Sequence, residues 1–173
     1  MNMKPTKQDS QLSKSAQAVQ TALNALGVSY VVQELPSSTR TAQDAANSIG
    51  CELSQIVKSL LFCSQTKHPI LVLTSGSNRV DTQKIANLVG ESVAKADADF
   101  TRRVTGFAIG GIPPLRDHPY GGNPSISHVF IDEDLLKFTS CWAAAGTPNA
   151  VFCLTTNDLI TLSGGKVVDI KST

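Results

Sequence analysis

Thr105-Gly106-Phe107-Ala108-Ile109-Gly110-Gly111-Ile112-Pro113-Pro114-Leu115 is the stretch on which this chain turns. Phe107 to Ile109 reads as a short buried strand. Two glycines then stop it, and two prolines stiffen the chain beyond them. Glycine reaches φ > 0 and lets a ligand approach the backbone. Pro113 and Pro114 fix their own φ and carry no N–H, and each pushes the residue before it out of the helical region. The result is a stiff, extended loop whose N–H donors, on Gly110, Gly111 and Ile112, are free to point outward. Aimed donors on a rigid loop are what an oxyanion site needs. The same punctuation also describes a plain tight connection.

Upstream of the loop, Asp97 caps a helix that runs through Val104 and closes at Gly106. Asp81 caps another, through Val89 to Gly90. Before that, Ile56 to Ser64 and Pro69 to Ser75 read as two strands of a hairpin turning near Lys67-His68. Earlier still, Leu12, Ala16, Val19, Leu23 and Leu26 recur at helical spacing, and Gly27 ends that helix. Tyr30 to Leu35 alternates as a strand. Thr41 and Asp44 form a capping box opening a short helix to Ile49. Downstream, Arg116 to Ser125 is a Gly- and Pro-rich loop. His128–Asp132, Ser140–Ala144, Ala150–Leu154 and Val167–Ile170 read as strands, with a helical turn at Glu133–Lys137 and a helix at Asn157–Leu162 capped by Thr156. Helices are interspersed with strands, and several links are of hairpin length. The fold class is therefore α/β of the α+β type. It has a mixed, largely antiparallel sheet, curled or closed as a barrel, with helices packed outside.

The chain has 173 residues, 41% of them hydrophobic and 17% charged, with a net charge of +1. One domain is expected, over residues 13–173, after a flexible tail over residues 1–12. No apolar run reaches a membrane-spanning length, and the polar N-terminus has no signal-peptide core, so a cytoplasmic protein without a membrane partner is expected. The near-neutral charge argues against gripping long stretches of nucleic acid, but leaves room for contact with one or two phosphates. Cys51, Cys63, Cys141 and Cys153 are irregularly spaced and are read as reduced thiols, without a disulfide frame or zinc site.

Chemistry-bearing residues are few. In Ile56-Val57-Lys58-Ser59-Leu60-Leu61-Phe62, strand alternation puts Lys58 in one row with Ile56, Leu60 and Phe62. A lone ammonium in an apolar row either snorkels to water or stands at the rim of a pocket, suited to a phosphate. Arg79, in Ser75-Gly76-Ser77-Asn78-Arg79-Val80-Asp81, faces solvent or a phosphate. His118 lies on the long loop after the prolines, with no Ser or Cys partner set by spacing. Three scattered histidines make no metal site, Gly164-Gly165-Lys166 is no phosphate loop, and there is no nucleophile elbow. No metal and no cofactor are expected. Chemistry here would require the substrate to bring its own reactive group.

Taken together, the Lys58 strand, the segment around Arg79 and Asp81, and Gly110-Gly111-Ile112-Pro113-Pro114 resemble the family of YbaK and the prolyl-tRNA synthetase-associated editing domain. The resemblance runs from about Val19 to Ile170. It implies a β-barrel wrapped by helices and a hydrolase of mischarged aminoacyl-tRNA, with a synthetase as a further candidate partner. Lys58 matches the family lysine, implied to hold the phosphate at the terminal adenosine of tRNA. Gly110 and Pro114 match the ends of its G-x-x-x-P loop, whose N–H groups are implied to bind the ester carbonyl. Ala144 stands where cysteine-removing members carry serine, so cysteine specificity is not implied.

The expected function is thus a free-standing trans-editing deacylase using substrate-assisted attack of water. Lys58, Gly110 and Gly111 are its catalytic candidates, and Ile112, Pro114, Arg79, Ala144 and His118 its substrate-binding candidates. Two alternatives remain: a non-catalytic module binding an aminoacyl nucleotide or tRNA 3′ end, and a Schiff-base enzyme with Lys58 as nucleophile.

Overall fold

The computed structural model describes residues 11–116 and 126–173. Most of the expected tail, and the loop residues 117–125 with His118, lie outside them. Leu12, placed in the tail by sequence, packs against the main core.

Local signals set most elements. Ser13 caps α1 (Lys14–Ala25) by accepting from the Ala16 N–H, and α1 buries Ala16, Val19, Ala22 and Leu23. The Thr41–Asp44 capping box opens α2 (Ala42–Ile49), and these bonds hold the Asp44 carboxyl below its usual value. Asp81 caps α3 (Thr82–Val89) and Asp97 caps α4 (Ala98–Thr105). α5 (Thr156–Ser163) is capped by Thr155, one residue earlier than expected.

The strands are β1 (Gln33–Glu34), β2 (Val57–Ser64), β3 (Pro69–Ser75), β4 (Val93–Lys95), β5 (His128–Asp132), β6 (Ser140–Ala144), β7 (Ala150–Thr155) and β8 (Lys166–Val168). They form two sheets, ordered β1-β7-β6 and β4-β2-β3-β5-β8. Four pairings are antiparallel; β3–β5 and β5–β8 are parallel. The fold is mixed and largely antiparallel, as expected, and the strands form no closed barrel among the described residues. Among the described residues a parallel bridge between Ile56, just before β2, and Trp142 of β6 links the two sheets.

Two expected strands differ. β1 keeps only two of its six expected residues, because only Gln33 and Glu34 meet β7. Phe107 to Ile109 is not a strand. Phe107 is buried and anchors the segment in the core, whereas Ile109 is 44% exposed. With no neighbouring strand to accept its ladder bonds, this stretch becomes a turn.

The main core lies between the sheets and draws on α1, β2, β3, β6, β7 and α5; Ile85 of α3 and Phe62 of β2 belong to a second cluster.

Candidate functional site

β2 organises the site. It pairs with β3 along its length, from Val57↔Ser75 to Cys63↔Pro69. Its other edge is divided: β4 pairs with Phe62–Ser64, and β6 bridges at Ile56, the residue just before β2. The Ser64 N–H donates to His68 O (2.9 Å) and the Gly76 N–H to Ile56 O (2.7 Å), so even-numbered residues bond toward β3. In an antiparallel ladder the odd-numbered residues then direct their main-chain groups to the opposite edge. Leu61 O meets the Ala96 N–H there, at 3.0 Å. The main-chain groups of Ser59 point into an interval where no strand lies.

A cavity of about 200 Å³ occupies that interval. Its walls come from β2, the N-terminal part of α2 with Arg40 before it, Ile109 and Gly110, and the β6–β7 turn with Pro148. Lys58, Gly110 and Ala144, far apart in sequence, all line it. A wider groove of about 900 Å³ runs along β4 and α4 past Lys67, Lys95 and Arg103. It includes none of the candidate residues, so the smaller cleft is the candidate site.

Lys58 does sit in an apolar row, half-buried, and it does not simply reach for water. Its Nζ donates to Asn78 O at 2.6 Å. Burial first, and the Arg79 guanidinium second, push its ammonium below the ordinary 10.5, with the Asp132 carboxylate opposing them. A polar web holds the Asn78 loop. The Asn78 side chain donates to Asp132 at 2.8 Å and to Asp134 at 2.9 Å. Asp132, fully buried, also accepts from the Thr74 hydroxyl and the Ser75 N–H. Lys171 pairs with Asp134 at 2.8 Å. Hydrogen bonds from Lys171, Asn78 and Lys137, in that order, hold Asp134 far below the usual carboxylate range.

The glycine loop is a turn closed by the Gly111 N–H on Ala108 O at 3.0 Å. Gly110 is its third residue, with φ +87°, a position that favours glycine. The Gly110 N–H has no acceptor among the described residues, and the residue lines the cleft. Gly111 differs from the expectation: its N–H is spent inside the turn, and its carbonyl accepts from the Gly146 N–H at 2.8 Å. Ile112 is 1% exposed in the main core. Pro114 is buried as well, and neither lines the cleft. Arg79 is exposed outside the cleft and acts on it only through its charge on Lys58. Ser59, Arg40, Thr41, Trp142 and Pro148 also line the cleft. Sequence reading missed them in this role; Thr41 was legible only as a helix cap.

A two-sheet α/β domain, with a small cleft at a split strand edge, two cationic side chains, Lys58 and Arg40, among its walls and a glycine-turn N–H without an acceptor among the described residues, defines a class. The cleft carries no Asp, Glu, His or Cys among the described residues. The family model of the aminoacyl-tRNA editing domain matches residues 36–162, and the chain belongs to that family. It is 30% identical over 136 residues to the uncharacterised protein YwhH of Bacillus subtilis (strain 168), covering 79% of this chain and 83% of that one. It is 32% identical over 80 residues to the proline–tRNA ligase of Limosilactobacillus fermentum (strain NBRC 3956 / LMG 18251), covering 43% of this chain but only 14% of the ligase. A crystal structure provisionally described as a trans-editing enzyme for prolyl tRNA synthetase superposes with a TM-score of 0.86 at 44% identity, covering 94% of this chain and 100% of that one.

Proposed function

We propose that the protein hydrolyses the ester of mischarged aminoacyl-tRNA, acting in trans. The observation that carries this is that Lys58 and Gly110 face one cavity of about 200 Å³. Lys58 holds a phosphate near the terminal adenosine. The Gly110 N–H receives the ester carbonyl and the oxyanion that grows from it; one such donor is worth roughly 3 kcal/mol in comparable sites. The polar side chains of the cleft, Arg40, Thr41, Lys58, Ser59 and Trp142, include no ordinary general base. A ribose hydroxyl of the substrate therefore assists the attacking water. The carbonyl carbon gains the water oxygen, its bond to the ribose oxygen breaks, and a proton passes to that oxygen, leaving free amino acid and uncharged tRNA. Contact with tRNA is confined to the acceptor end, in keeping with a net charge of +1. The work belongs to translation fidelity, so its place is the cytoplasm, with a synthetase as a further partner.

No described helix is long and apolar enough to cross a membrane. A panel of mischarged tRNAs, each with a different amino acid, tests the proposal. Turnover of at least one, well above spontaneous hydrolysis, is expected. Binding of the 3′ end without turnover would leave a non-catalytic module, and borohydride trapping at Lys58 would point to Schiff-base chemistry instead.

A further inference from the structure

Asp132 is fully buried, and no cation pairs with it directly among the described residues. A carboxylate so placed is costly unless its oxygens are met. Here Oδ2 accepts from the Thr74 hydroxyl at 3.1 Å, the Ser75 N–H at 3.0 Å and the Asn78 amide at 2.8 Å, and Oδ1 accepts from the Asp134 N–H at 3.0 Å. Asn78 carries the connection on to the cleft. Asp132 grips its side chain, and its main-chain O accepts from Lys58 Nζ at 2.6 Å. The sheet also sets both charges in one row. Lys58 faces Thr74 across β2 and β3. Leu73 faces Ile131 across β3 and β5, so Thr74 stands beside Asp132. Two strand spacings of about 4.8 Å separate the ends of this row. It lies on the face of Ile70, Val72 and Phe130, which Ile85 of α3 covers, so water and salt screen the two charges little.

We infer that Asp132 is a positioning residue for Lys58: through Asn78 it holds the ammonium at the wall of the cleft, and its charge balances the ammonium along the same row. Its value to a substrate rests on the proposed role of Lys58 as phosphate ligand. The other charges around Lys58 work against it. Arg79 beyond β3 and Lys95 on β4 act with burial to favour loss of the proton, and Asp132 opposes them. Arg40 adds a further cation on the cleft wall. A neutral amine would offer a phosphate no charge, so a lysine in such company needs a carboxylate nearby. A carboxylate inside the cleft would repel the phosphate. Asp132 supplies its charge from two strands away, outside the cleft lining.

The test reads Lys58 itself. The methylene beside its amine is followed by NMR as pH rises, and its signal is assigned by its loss in Lys58→Arg. The wild-type midpoint lies below the ordinary 10.5. Asp132→Asn keeps the shape and removes the charge, so it should lower the midpoint by about one further pH unit, the worth of one charge at about 10 Å in a partly buried site. Adenosine 5′-monophosphate and adenosine, one with the phosphate and one without, are then titrated through the fluorescence of Trp142, the one tryptophan of the chain, which lines the cleft. Between the two midpoints, Asp132→Asn should weaken the monophosphate about fivefold and leave adenosine within about twofold. Lys171→Met is the control. It cuts the ion pair with Asp134 at 2.8 Å, and should melt lower while keeping both the Lys58 midpoint and the preference for the monophosphate. Should Asp132→Asn not fold, Asn78→Ala carries the test, since it cuts the bond to Asp132 and keeps the main-chain carbonyl; it should weaken the monophosphate and spare adenosine. An unmoved midpoint in Asp132→Asn, an equal shift in Lys171→Met, or equal weakening of both probes in either test variant would overturn the inference. Wild type binding the two probes alike would sink the phosphate role of Lys58, while a lowered midpoint would still support the hold of Asp132 on it.

Discussion

Gly111→Ala tests whether the geometry of the glycine turn matters, because Gly111 does not touch the cleft. A Cβ added there would lie 2.6 Å from Gly146 O and 2.9 Å from Thr147 Cα. Both atoms are backbone of the β6–β7 turn and cannot rotate away. Gly111 is also clamped on both sides, through its N–H to Ala108 and its carbonyl to Gly146. Bringing 2.6 Å out to ordinary contact near 3.4 Å moves one turn against the other by about 0.8 Å. Gly110 is the next residue and travels with it. A 1 Å misplacement of a positioned group costs about 100-fold in rate, so single-turnover deacylation should fall about 50-fold. The overpacking costs about 1–3 kcal/mol, a loss of about 2–12 °C in Tm for a chain of this size. Gly90→Ala is the control. Gly90 has φ +82° with nothing within 4 Å of the added Cβ, so it meets left-handed strain of about 1–2 kcal/mol far from the turn. It should lose similar stability and keep its rate. If Gly111→Ala reacts within twofold of wild type, or Gly90→Ala loses as much rate, the turn does not position the reaction.

Gly110→Ala should act by strain rather than collision: its φ is +87° and the nearest atoms, on Pro148, lie at 3.6 Å. A loss of about tenfold in single-turnover rate with a modest fall in Tm is expected, and an unchanged rate would place the ester elsewhere. Lys58→Ala should weaken deacylation while the protein stays folded. For wild type, affinity for a 3′-terminal nucleotide should fall as pH rises through the depressed Lys58 value, below the ordinary 10.5. Arg79→Gln removes one cause of that depression and should move the midpoint upward; an unmoved midpoint would mean another group titrates. The sign for stability is the converse of a stabilising ion pair: the unfolded chain binds this proton more tightly, so the Lys58 contribution improves as pH rises toward 10.5. Asn78→Ala takes a donor from the buried Asp132, costs about 1–3 kcal/mol, and loosens the segment whose carbonyl holds Lys58; a combined fall in Tm and kcat/KM is expected, and a fall in Tm alone would separate this web from the site.

What the sequence determined is what neighbours along the chain decide. A side chain three residues away caps a helix, so Thr41 with Asp44, Asp81 and Asp97 were legible from spacing alone, whereas the Ser13 cap of α1 was not read. Glycines with positive φ close α2, α3 and α4 at Gly50, Gly90 and Gly106. The β2–β3 hairpin is equally local, and alternation along β2 was enough to pick out Lys58 as a cation in an apolar row. Tertiary structure decided what depends on partners distant in sequence. Phe107–Ile109 has strand character but no ladder to join, so it turns. Val72 pairs in parallel with Phe130, and the open interval beside Ser59 exists only because β4 and β6 reach different ends of the same edge. Lys58, Gly110 and Ala144 share a cleft, while Gly111, Ile112 and Pro114 support it from behind, because packing and main-chain bonding assign each face. Spacing sets a residue's local conformation; which side of it meets a cavity is decided only by the elements that close around it.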